Sequence, residues 1–69
     1  MIDVNKLRGR MAEKGRNGQD MAKVIGKTPK TFYSKMKAGV FDSDEIMAMV
    51  EDLEIQNPME IFFADEVTH

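Results

Sequence analysis

The chain has 69 residues, no cysteine and a single histidine, which leaves room for one small domain and excludes disulfides and thiolate metal sites. No apolar run approaches the ~18 residues of a membrane span, and the first five residues lack the basic and apolar segments of a signal peptide, so a cytoplasmic, single-domain protein with no membrane partner is expected. The net charge of −2 conceals a segregation: all ten Lys and Arg lie between Lys6 and Lys37, and residues 1–40 add only Asp3, Glu13 and Asp20, a balance of +7, whereas the chain from Phe41 onward holds nine acidic residues and no Lys or Arg. One end of such a dipole suits a polyanion, and the other repels it.

Taken in order, residues 4–14 form the first expected helix. Val4, Leu7 and Met11 recur at spacings of three and four and make one apolar stripe. Asp3 stands as N-cap and Gly15 as the C-terminal stop. The second helix covers residues 18–25, with Asn17 as cap and Asp20 as its partner three residues on. Met21, Ala22, Val24 and Ile25 supply its buried side. Gly26 then permits the left-handed conformation that a tight turn needs.

The third helix, residues 29–37, has Thr28 as cap and Pro29 at the first helical position, where a missing N–H costs nothing. Phe32 and Met36 point inward at i and i+4, and Ala38-Gly39 ends the helix. A helix, a glycine turn and a second well-started helix together outline a helix-turn-helix. The fourth helix, residues 43–53, begins with Asp42 as cap, Glu45 as capping-box partner, and Phe41 with Ile46 as a hydrophobic staple. Ile46, Met49, Val50 and Leu53 make its apolar stripe, and Glu51, Asp52 and Glu54 face water. A fifth helix, residues 58–63, starts at Asn57-Pro58-Met59-Glu60. Ile61, Phe62 and Phe63 cannot all reach one core from a single turn, so one of them is expected at the edge. Asp65 to His69 is expected to fray. The expectation is an all-α domain of five short helices, residues 1–69.

Met21-Ala22-Lys23-Val24-Ile25-Gly26, with Phe32 six and Met36 ten residues after the glycine, resembles the Cro and repressor-type helix-turn-helix of bacteriophages. Phe41-Asp42-Ser43-Asp44-Glu45-Ile46, Leu53-Glu54-Ile55 and Glu60-Ile61-Phe62-Phe63-Ala64 sharpen this. The chain is similar there to very small Cro-like regulators of Gram-positive phages and prophages, over roughly Asn5 to Val67. The resemblance implies operator binding, with the third helix in the major groove and the second across the backbone. Carried over by position, Lys30, Thr31 and Ser34 are the candidate base contacts, since Lys suits guanine O6/N7 and Ser or Thr pairs with several bases. Arg16, Gln19, Lys27, Thr28, Tyr33, Lys35 and Lys37 are the candidate backbone contacts, which set register rather than sequence.

The chain departs from the family's pattern in two places. Gly18 stands where the family usually has a glutamine that bridges to DNA, with Gln19 one position late, and Arg16 stands where an apolar residue is common. Backbone anchoring at that end is therefore expected to be lost or to pass to Arg16. Pro29 also removes a donor from the start of the third helix.

Other chemistry has little footing. His69 lies at the chain's end, and no carboxylate spacing matches a calcium loop, so no catalytic residue, metal or cofactor is expected. Most of the seven methionines read as core fillers, although such residues also build adaptable protein-binding surfaces. The functional expectation is a non-enzymatic regulator that occupies double-stranded operator DNA as a homodimer, with Ile61, Phe62 and Phe63 as the dimer or partner surface. The alternative is a modulator on the same fold that binds a phage repressor protein through the acidic half or the third helix.

Overall fold

A computed structural model describes residues 2–63. Five helices follow one another: α1 Val4–Glu13, α2 Gly18–Ile25, α3 Pro29–Ala38, α4 Ser43–Asp52 and α5 Pro58–Phe62. These bounds agree with the sequence-based helices to within one residue. The described residues are all-helical and contain no strand. The expected tail at 65–69, with His69, lies outside them.

Local chemistry sets the helix starts. Asp3 accepts the Lys6 N–H at 3.1 Å, which satisfies one of the donors that α1 leaves free. Asn17 and Asp20 close a reciprocal capping box on α2, with bonds of 2.9 and 3.0 Å. The Thr28 hydroxyl accepts the Thr31 N–H at 3.2 Å, directly ahead of Pro29. At α4 the Glu45 carboxylate accepts the Asp42 N–H at 2.8 Å. Asn57 occupies the expected place before α5, but its side chain makes no capping bond. The Glu60 N–H is met instead by the Asn57 carbonyl, at 3.2 Å.

The core unites the buried faces of all five helices. Leu7, Met21, Phe32, Met49 and Leu53 are its most enclosed large side chains, and Met11, Ala22, Ile25, Met36, Ile61 and Phe62 complete the centre. Ile2, ahead of α1, and Phe41 and Ile55, on the connecting segments, are buried with them, and Val4, Val24, Ile46 and Val50 pack at its margin. The Phe32 and Phe41 rings meet with centroids 5.7 Å apart, which fastens the segment leading into α4 against α3. Helix α2 packs on α3 and α4, and α1 packs on α5. The Asp3 N–H also donates to the Ile61 carbonyl at 2.7 Å and ties the start of the described chain to its last helix.

The turn between α2 and α3 is three residues long, Gly26-Lys27-Thr28. Gly26 has φ 71°, the left-handed region where a side chain is strained. The Lys27 N–H reaches back to the Ala22 carbonyl at 2.9 Å and closes the end of α2. With Ala22 buried on the inner side, α3 is held close against α2 and its opposite face is left to solvent.

Candidate nucleic-acid interface

Helical spacing selects the outward face of α3. Phe32 and Met36 are buried, so the residues on the far side are Lys30, Tyr33, Ser34 and Lys37, at i, i+3, i+4 and i+7. All four are exposed, and half of the surface of Tyr33 is accessible. Lys30 and Ser34 of the expected base-contact trio belong to this face. Thr31 does not. It is half-buried, and its hydroxyl pairs with that of Thr28 at 3.0 Å, so it belongs to the capping arrangement rather than to the outward row. Tyr33, placed by sequence among the backbone contacts, stands in the middle of that row.

The expected backbone contacts divide into two groups. Gln19, Lys27, Thr28 and Lys37 are exposed around the α2–α3 unit. Arg16 and Lys35 are committed elsewhere. Arg16 grips Asp52 with a two-pronged pair, Nε–Oδ2 at 2.9 Å and a second guanidinium N–Oδ1 contact at 3.2 Å, and donates to the Lys14 carbonyl at 3.2 Å. The hydrogen bond to Asp52, then its charge, raises the guanidinium pKa further. A planar donor fork in that geometry is spent on one carboxylate. Arg16 thus joins the segment before α2 to the end of α4.

Lys35 bridges α3 to the start of α4. Its ammonium lies 3.1 Å from Glu45 Oε1 and 3.6 Å from Asp42 Oδ2. Glu45 is only 4% exposed, and its Oε2 has no partner. Burial alone pushes a carboxyl pKa up. The Asp42 N–H and the Lys35 ammonium outweigh that effect and hold Glu45 below the ordinary 4.5. Lys35 therefore ties α3 to the start of α4, with its ammonium turned toward these two carboxylates.

The same pattern recurs behind α1. Arg10 Nε donates to the Leu53 carbonyl at 2.7 Å and a terminal guanidinium N to that of Glu54 at 3.0 Å, closing the end of α4 with a cation. Lys14 pairs with Glu54. The segregated charges are thus partly an internal device: Arg10, Lys14, Arg16 and Lys35 bind the acidic half to the basic one. Lys6, Arg8, Lys23, Lys27, Lys30 and Lys37 form no ion pair among the described residues. Lys30 and Lys37 lie on the α3 face, and Lys27 sits on the turn before it.

Gly18, the first residue of α2, has a neighbour that the sequence does not reveal. A Cβ placed on it would lie 2.0 Å from the Tyr33 hydroxyl oxygen and 2.1 Å from Cζ. The phenol occupies the space that a side chain at position 18 would need. A glutamine there is incompatible with Tyr33 in this position.

Of the three residues expected at a partner surface, Ile61 and Phe62 are buried and belong to the core. Phe63 is 38% exposed and is the one at the edge. Exposed Met47 on α4 and Met59 on α5 were missed in the sequence, because methionine at these positions reads equally well as core. Met47, Ile46, Val50 and Pro58 line a shallow apolar depression beside Glu51.

Among the described residues no group of His, Cys, Asp or Glu is placed to hold a metal ion. Among the described residues, no helix is long and apolar enough to cross a membrane. Compared with protein-family models, curated proteins and solved structures, the chain has no match.

Proposed function

We propose that this protein is a DNA-binding regulator of the phage Cro and repressor type, which lays α3 in the major groove of operator DNA and represses by occupying a promoter. One observation carries the reading. Lys30, Tyr33, Ser34 and Lys37 form a continuous exposed row on the helix that follows a three-residue glycine turn, with Lys27 beside its start. Lys30 and Ser34 near the start of α3 address base edges, Lys30 toward guanine and Ser34 toward any of several acceptors or donors. Tyr33 supplies apolar contact and a hydroxyl, while Lys27, Lys37, Thr28 and Gln19 meet phosphates. Neither catalysis nor a cofactor is part of the mechanism.

So small a face makes few contacts, and the reading places two copies on half-sites about one helical turn apart. Phe63, with Met59 four residues before it on α5, offers the apolar surface for that pairing.

The test is selection from a pool of random duplexes. Enrichment of a defined, two-fold related sequence by the intact chain, lost with Lys30→Ala, supports the reading. Failure to enrich any sequence from micromolar protein defeats it.

A second reading is favoured by the apolar depression around Met47, which is 64% exposed and has Glu51 at its edge. There the same fold binds a phage repressor protein and acts on transcription through it. Co-elution with that repressor in the absence of DNA binding selects this reading over the first.

A further inference from the structure

We infer that the cleft between α1 and α3 seats the sugar–phosphate backbone of the bound duplex, with Arg8 on α1 as a phosphate anchor. The inference rests on the DNA reading of the α3 face and extends it to a helix outside the helix-turn-helix. The cleft has a volume of about 400 Å³ and is lined by Val4, Arg8, Tyr33, Met36 and Lys37. Its cations come from opposite walls, Arg8 from α1 and Lys37 from α3. Neither forms an ion pair among the described residues. Its floor is apolar: Met36 is buried, Val4 is half-buried, and the Tyr33 ring closes one side. Two separated cations over an apolar floor match the sugar–phosphate chain, in which an apolar deoxyribose face lies between charged phosphates.

Position adds to the match in chemistry. Tyr33 and Lys37 belong both to this cleft and to the outward row of α3, so the cleft opens at the edge of the proposed reading face. A duplex laid on that row brings one strand to the cleft. Other candidate anchors around the α2–α3 unit are paired or missing. Arg16 is held by Asp52, Lys35 by Glu45 and Asp42, and Gly18 has no side chain because the Tyr33 phenol fills its place. Arg8 is exposed, and its guanidinium suits a bidentate contact to phosphate oxygens.

The experiment compares the intact chain, Arg8→Ala and Lys6→Ala on the duplex recovered by selection, titrated from 50 to 200 mM salt. Lys6 lies on the same helix but lines the opposite groove, beside Glu60 and Ile61, so its removal controls for net charge alone. One lost phosphate contact flattens the salt dependence by about 0.9 in log K against log salt, so across that range Arg8→Ala loses roughly 3.5-fold less affinity than the parent chain. The selected base preference stays unchanged, as does the slope of Lys6→Ala. A second measurement replaces single phosphates by neutral methylphosphonates. One position is expected to weaken the parent chain while leaving Arg8→Ala unaffected. Circular dichroism of Arg8→Ala verifies its fold. An unaltered slope in Arg8→Ala, or equal loss with Lys6→Ala, overturns the anchor while leaving the α3 face standing. If the parent chain binds no duplex, the DNA reading itself fails, and the anchor with it.

Discussion

At Glu54 the backbone takes φ 51°, a left-handed conformation that costs a residue with a Cβ about 1 kcal/mol. Glycines hold the corresponding places after the first three helices, and Glu54 alone carries a side chain there. Its carboxylate pairs with Lys14, an exposed bond of small value. Glu54→Gly and Glu54→Ala both remove that carboxylate and differ only in backbone freedom. The glycine variant is therefore expected to be the more stable of the two by about 1 kcal/mol, or roughly 4–8 °C in melting temperature. Gly18 poses the opposite question, since its backbone is ordinary and the obstacle is the Tyr33 ring. In a Tyr33→Ala background, Gly18→Ala is expected to stabilise by about 0.4–1 kcal/mol by restricting the unfolded chain. In the parent chain the same change must push the phenol aside and gains less. A double-mutant cycle by chemical denaturation measures the difference, and additive effects would mean that the two residues do not compete for space.

Between elements, the pair of Lys35 with buried Glu45 holds α3 against the start of α4. Lys35→Met leaves that carboxylate with one backbone donor and is expected to cost about 1–3 kcal/mol near neutral pH. The pH dependence follows from the depressed Glu45 pKa. A group whose folded pKa lies below its unfolded value stabilises the fold above the unfolded value and loses that contribution as the pH falls through the folded one. Stability of the parent chain is therefore expected to decline below about pH 4.5. Part of the decline belongs to Glu54, which Lys14 also holds low through its hydrogen bond and then its charge. Glu45→Gln is expected to flatten the decline in urea denaturation measured across pH, and an unchanged slope would remove Glu45 from the account.

The elements themselves were legible because their signals are local. Asp3, Asn17, Thr28 and Asp42 mark helix starts within four residues of the groups they satisfy, and Gly26 marks the turn it makes. What the sequence concealed is long-range or rotational. Arg16 meets Asp52 across 36 residues, and no periodicity joins them. Thr31 and Ser34 are three residues apart, but their side chains turn to different surroundings, one to the cap and the other to solvent. Ile61 and Phe62 both find the core because α5 packs on α1, a contact that its own five residues do not encode.

At the scale of the molecule, the fourteen hydrophobic residues buried in one cluster among the described residues leave little reserve in so short a chain, and cross-helix ion pairs supplement it. The charge segregation read from the sequence as a single dipole has two uses. Four cations, on α1, on the segment after it and on α3, fasten the acidic half to the basic one, and Lys27, Lys30 and Lys37 remain exposed on and beside the α3 face. The central claim is that the row Lys30, Tyr33, Ser34 and Lys37 is the surface that meets DNA. Tyr33 is the only tyrosine in the chain, so 3-fluorotyrosine places a single ¹⁹F reporter in the middle of that row. Titration with the selected duplex is expected to shift or broaden this one resonance to saturation, with Lys30→Ala abolishing the change at the same concentrations. A duplex that binds while the Tyr33 resonance stays where it was would contradict the account.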